Sequence, residues 1–128
     1  GVCCEFHGRC PQVEIASTLR RCDLFVLPSS YEGHPKILIE AMALGIPILA
    51  ADSPGIRDQI SHGVTGYLVP TSVDGLRSGI KTMLAMSALE RANLGRESRE
   101  YSIKQYSLSR IGKLERYIFT NKLGVLSI

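Results

Sequence analysis

The sequence predicts an α/β fold: a Rossmann-like open parallel sheet of about four short strands flanked by helices, ending in an all-helical tail over residues 74–128. Three observations carry this expectation. Short apolar runs alternate with helix-like stretches through the first half of the chain. Gly and Pro punctuate the joins between them. After Pro70 the strand pattern ends and only helical spacing continues.

Taken in order, Val2 to Phe6 reads as a first strand closed by a turn at Gly8. Residues 12–21 read as a helix with Val13, Ile15, Ala16 and Leu19 inward and Arg20 and Arg21 at its basic end. Asp23 to Leu27 reads as a second strand, an apolar run of the kind buried on both faces. Pro28 to Gly33 is a loop. Pro35 suits a first helical position, where a missing N–H costs nothing, and Gly45 suits the stop of that helix after about Leu44. Pro47 to Ala51 reads as the third strand. Ser53-Pro54-Gly55 is a turn, followed by a short helix over 56–61, a turn at His62-Gly63 and a fourth strand from Thr65 to Val69. Asp74 is placed to cap a helix through Met86. Two more helices are expected over 88–105 and 107–121, the latter with Leu108, Ile111, Leu114 and Ile118 at helical spacing.

Composition sets bounds on function. At 128 residues the chain forms one domain with a real core, and its 45% hydrophobic and 21% charged residues are ordinary for a globular protein. It starts at Gly1 rather than Met, so a longer parent is in view. No run approaches a membrane span and no signal-peptide pattern opens the chain, so a cytoplasmic location is expected. Residues 1–75 hold five Lys/Arg against eight Asp/Glu (−3), and residues 76–128 hold ten against four (+6). That basic tail admits peripheral contact with the cytoplasmic membrane face, but mixed charges on a helix read first as a solvated surface. No basic stripe is interleaved with aromatics, so no nucleic-acid partner is expected. The long apolar-sided terminal helices anticipate a neighbouring domain or a homodimer of this chain. Cysteines at 3, 4, 10 and 22 lack metal-ligand spacing and read as reduced thiols, some buried as small apolar residues. No carboxylate pair suits a divalent cation, so neither metal nor cofactor is expected.

The most informative stretch runs from Glu32 to Glu40. It follows an apolar strand and straddles the start of a helix. In open α/β sheets, ligands bind at such carboxyl ends of strands. Free N–H groups at a helix start suit phosphate oxygens, and ionised carboxylates suit hydroxyl donors. A site offering both suits a sugar nucleotide. The bland alternative makes Glu40 a surface partner of Lys36, one turn earlier, in the weaker orientation worth at most about 0.5 kcal/mol. Glu32 would then be a plain turn residue. Ser29 and Ser30 lack a His/Asp set and order the loop instead.

The wider pattern decides between these. Asp23-Leu24-Phe25-Val26-Leu27-Pro28-Ser29, then Tyr31-Glu32-Gly33-x-Pro35, then Leu38-x-Glu40-Ala41-Met42-Ala43-x-Gly45-x-Pro47-Ile48, then Gly55-Ile56-x-Asp58 and Gly63-Val64-Thr65-Gly66-Tyr67-Leu68-Val69-Pro70 resemble the donor-binding half of retaining GT-B glycosyltransferases of group 1, also called family 4. The resemblance implies that residues 1–128 are a C-terminal nucleotide-sugar-binding domain lacking its first strand–helix unit. It implies that Glu32 acts at the donor sugar, as the catalytic-site carboxylate and as a sugar ligand. Gly33 and His34 would present loop backbone to that sugar. Lys36 and Ile37 would offer main-chain N–H groups to the diphosphate, and Glu40 would accept from the ribose hydroxyls. The turn after Gly8 matches a region near the nucleotide base. Pro35 stands where many members have Gly, and Asp58 where a glutamate is usual.

The activity so implied is hexose transfer from a nucleoside diphosphate sugar to a glycan or lipid acceptor with anomeric configuration kept. The site would stabilise charge on the departing diphosphate and on an oxocarbenium-like sugar. The acceptor domain is a partner outside this chain, so the chain alone is expected to be inactive in transfer. Two alternatives stand beside it: a sugar-nucleotide epimerase of the same fold, and a non-catalytic interaction module.

Overall fold

A computed structural model of the chain describes residues 1–107. Its elements, in chain order, are α1 (Gln12–Leu19), β1 (Phe25–Leu27), α2 (Lys36–Ala43), β2 (Ile48–Ala51), β3 (Tyr67–Val69), α3 (Val73–Ala85) and α4 (Ala88–Tyr106). The three strands form one parallel sheet in the order β1-β2-β3. Phe25 lies opposite Ile48 and Leu27 opposite Ala50; Leu49 lies opposite Tyr67 and Ala51 opposite Val69. The parallel α/β architecture is therefore as expected.

Strand alternation divides the core in two. Ile48 and Ala50 of β2 join Leu38, Ala41 and Met42 of α2, with Leu19 of α1 and Ile56 and Ile60 beyond the sheet. Leu49 joins Val69 of β3, Met83 of α3 and Leu94 of α4. All four residues of β2 are buried. Helix α4 serves both layers, because Leu94 belongs to one cluster and Tyr101 packs against the other.

Helix α4 also runs antiparallel along α2. A Cβ built at Gly95 would sit 2.9 Å from the carbonyl carbon of Gly45 and closer still to its oxygen, so only glycine permits this backbone approach. One turn on, the Arg99 guanidinium donates to the Ala43 carbonyl at the end of α2. At the far end, Tyr106 meets His34 just before α2 begins. Arg91 closes α3 in the same manner, donating to the carbonyls of Met83 at 3.2 Å and Met86 at 2.5 Å. Ser87 and Glu90 form a reciprocal capping box at the start of α4. Its hydrogen bonds from the Ser87 hydroxyl, then from the Ser87 backbone N–H, hold the Glu90 carboxyl below its ordinary value.

Several expectations are corrected. Val2 to Phe6 is not a strand; Val2 is 91% and Phe6 97% exposed. The pattern offers side chains for two faces, but no neighbouring strand accepts its backbone hydrogen bonds among the described residues. The sheet accordingly has three strands. Val13 of α1 points to solvent, and of the residues expected inward only Leu19 is fully buried. Residues 56–61 form hydrogen-bonded turns rather than a helix, with Ile60 N–H donating to Ile56 O. Ser72, not Asp74, caps α3, its hydroxyl accepting from Gly75 N–H at 3.0 Å. None of the four cysteines is buried: Cys3, Cys4 and Cys22 are exposed and Cys10 is intermediate. The helix expected over 107–121 lies outside the described residues from position 108 onward.

Candidate functional site

All three parallel strands end at the same edge of the sheet, and the loops that leave them meet there. The first loop runs from Pro28 to Pro35 between β1 and α2, the second from Asp52 to Gly55 after β2, and the third from Pro70 to Ser72 after β3. Three sets of contacts tie them together. The Ser53 hydroxyl, 2% exposed, donates to Ser29 O at 3.0 Å. Gly55, at φ +81°, lies so close under the first loop that a Cβ would come within 2.6 Å of Gly33 O and 2.9 Å of the Glu32 carbonyl carbon. Asp52 N–H donates to Val69 O at 2.7 Å, and the Thr71 hydroxyl to Asp52 O at 3.5 Å. Arg57 braces the second loop by donating to the Asp52 carboxylate at 2.6 Å. That hydrogen bond, with the carboxylate's charge, raises the guanidinium pKa further.

The sequence-selected residues occupy this rim and the helix rising from it. Glu32 is half-buried in the first loop, with its backbone packed on Gly55; Gly33 and His34 are exposed beside it. Pro35 is the residue before α2, with φ −69° and ψ 108°, so the helix opens at Lys36. Lys36 and Ile37 supply first-turn amides that find no acceptor within the helix itself. Glu40 lies one turn further along the face that Lys36 begins, and is half-buried. It lines a groove of about 240 Å³ with Ala16, Ala43 and Leu44, between α1 and α2. Two larger hollows, of about 350 and 390 Å³, lie at the amino edge of the sheet around Tyr67 and Leu94 and around Asp23 and Pro47. Neither includes Glu32 or Lys36, and the loop chemistry outweighs cavity size in locating the site.

His34 has a partner that sequence reasoning missed. Its ring meets that of Tyr106 edge to face, with centroids 5.7 Å apart and planes at 68°. Tyr106 in turn meets Tyr101 at 6.3 Å and 76°. Burial, with Tyr101 alongside, pushes the Tyr106 phenol above its ordinary pKa. Ser53, Asp52 and Arg57 were missed as loop braces too. Ser53-Pro54-Gly55 signals a turn, but nothing local signals that the turn supports another loop.

A family model described as "Glycosyl transferases group 1" matches residues 2–101. The amylovoran biosynthesis glycosyltransferase AmsK of Erwinia amylovora is 40% identical over 74 residues, covering 53% of this chain and 18% of that protein. The sucrose-phosphate synthase of Thermosynechococcus elongatus superposes with a TM-score of 0.79 at 28% identity, over 91% of this chain and 30% of that one. Anabaena HepE, solved in complex with UDP-glucose, superposes with a TM-score of 0.76 at 23% identity, over 84% of this chain and 30% of that one. The chain thus spans less than a third of the length of each of these proteins. With the GT-B half-fold and the family model covering most of its length, the chain belongs to the group 1 glycosyl transferases.

Proposed function

We propose that this chain is the C-terminal, donor-binding part of a retaining glycosyltransferase that moves a hexose from a nucleoside diphosphate sugar to a glycan or lipid acceptor. The observation that carries the reading is the arrangement at the carboxyl edge of the sheet. A braced loop carrying Glu32 leads into a helix start, with Glu40 one turn along. HepE, of similar fold, was solved with UDP-glucose, which is the ligand class this chemistry suits.

In this reading the first-turn amides of α2, at Lys36 and Ile37, hold the diphosphate and stabilise its charge as it departs. Backbone amides serve better here than the exposed Lys36 side chain. Glu40 accepts from the ribose hydroxyls. Glu32 orients the donor sugar, while the backbone of Gly33 and His34 lines its other side. A second domain supplies the acceptor site and closes the cleft, so the chain alone binds donor without transferring it.

Calorimetric titration of UDP into wild type and Glu40→Ala tests the ribose assignment. The variant should bind more weakly by about tenfold, the loss of a charged hydrogen-bond acceptor. Equal affinity in the two proteins refutes it.

A further inference from the structure

We propose that Tyr106, the last residue of α4, is a positioning residue for the donor-sugar loop: its ring holds the His34 imidazole and thereby fixes the Gly33–His34 backbone. The proposal rests on the donor-site reading above.

The loop is gripped on both sides of Gly33. On one side the Glu32 backbone rests on Gly55. On the other, the exposed His34 ring meets Tyr106 edge to face. Gly33 itself is exposed and has no side chain to anchor it. Tyr106 is not a loose tail residue. It is partly buried, its ring meets Tyr101, and Tyr101 packs against the buried cluster under α2.

Helix register explains why Tyr106 arrives where it does. Gly95 crosses Gly45, and eleven residues separate Gly95 from Tyr106, as eleven separate His34 from Gly45. Eleven helical residues advance about 16 Å. The antiparallel pair therefore brings the end of α4 to the start of α2. A ring there sets the loop that enters α2 through its contact with His34.

The test separates sugar from nucleotide. UDP reports the ribose and diphosphate contacts; UDP-glucose adds the sugar. In titrations of the 128-residue chain, Tyr106→Leu should lower the ratio of UDP-glucose to UDP affinity by roughly three- to tenfold, the range one aromatic contact supports, with UDP itself unchanged. Tyr106→Phe keeps the ring and should match wild type. Without ligand, the backbone ¹⁵N order parameters at Gly33 and His34 should fall in Tyr106→Leu and not in Tyr106→Phe. Should Tyr106→Leu not fold, Tyr106→Met fills the space without an aromatic ring and carries the same comparison. Three results overturn the proposal: an unchanged ratio, a parallel loss of both ligands, or equal wild-type affinity for the two. If wild type binds neither ligand, the donor-site reading fails. The order parameters then still judge the grip on the loop, and unaltered values at Gly33 and His34 overturn it.

Discussion

Replacing Gly95 by alanine tests the crossing on which the site's geometry depends. The added methyl would sit 2.9 Å from the Gly45 carbonyl carbon, whereas carbon atoms rest at about 3.5–4.0 Å. The helices must part by roughly an ångström, because the obstacle is backbone and no rotamer relieves it. Overpacking of this kind costs about 1–3 kcal/mol, and a backbone obstacle belongs at the upper end. Parting also stretches the bond from Arg99 to the Ala43 carbonyl, a charged donor worth about 1.5–3 kcal/mol when intact. Against this, alanine gains about 1 kcal/mol of helix propensity over glycine. With the stretched bond weakened by up to about 1 kcal/mol rather than lost, the net loss is about 2–3 kcal/mol, which lowers the melting temperature by roughly 6–12 °C for a domain of this size. Thermal and urea unfolding followed by circular dichroism read it directly. A variant as stable as wild type, or more stable, would show that only propensity changed and that α2 and α4 are not in backbone contact.

Other perturbations reach other supports. Arg91→Ala should destabilise the domain by about 1–3 kcal/mol by leaving the last carbonyls of α3 without their charged donor, measured as a lower urea midpoint. Ser53→Ala removes a buried hydroxyl that joins two loops; a loss of about 1 kcal/mol is expected, read as a lower urea midpoint. The Glu90 carboxyl has a lowered folded-state pKa, so its contribution is full above its ordinary value of 4.5 and fades as pH falls through the lowered value. Glu90→Gln should therefore flatten the acid limb of the stability–pH profile and leave its shape at neutral pH unchanged.

The sequence was most readable where local chemistry decides structure. The apolar runs at Leu24–Leu27 and Ile48–Ala51 and Gly45 after a helix mark β1, β2 and the end of α2 almost to the residue, while Pro35, expected at the first helical position, stands one residue before α2. It was least readable where partners decide. Val2 to Phe6 has strand composition, yet a strand exists only when a neighbour accepts its hydrogen bonds. Ser72 and Asp74 are both competent caps, and the chain's arrival from β3 selects Ser72. The span of Glu32 to Glu40 stood out as a candidate site because its residue types carry chemistry. The contacts that hold it, Ser53 on Ser29, Gly55 under Glu32 and Tyr106 on His34, join positions 20 to more than 70 residues apart, which no period or local motif encodes.

Strand β2 has a companion strand on each side and a packed layer above and below, with none of its four residues reaching solvent. A segment so enclosed has no partial way out. Its amides are released only when the whole domain melts, whereas helix ends and outer turns fray at far lower free energy. The Asp52–Gly55 turn hangs from the last residue of this least yielding piece. On the donor-site reading proposed above, a nucleotide arriving at the rim would meet a floor already frozen, and little of its binding energy would go into bringing that floor to order.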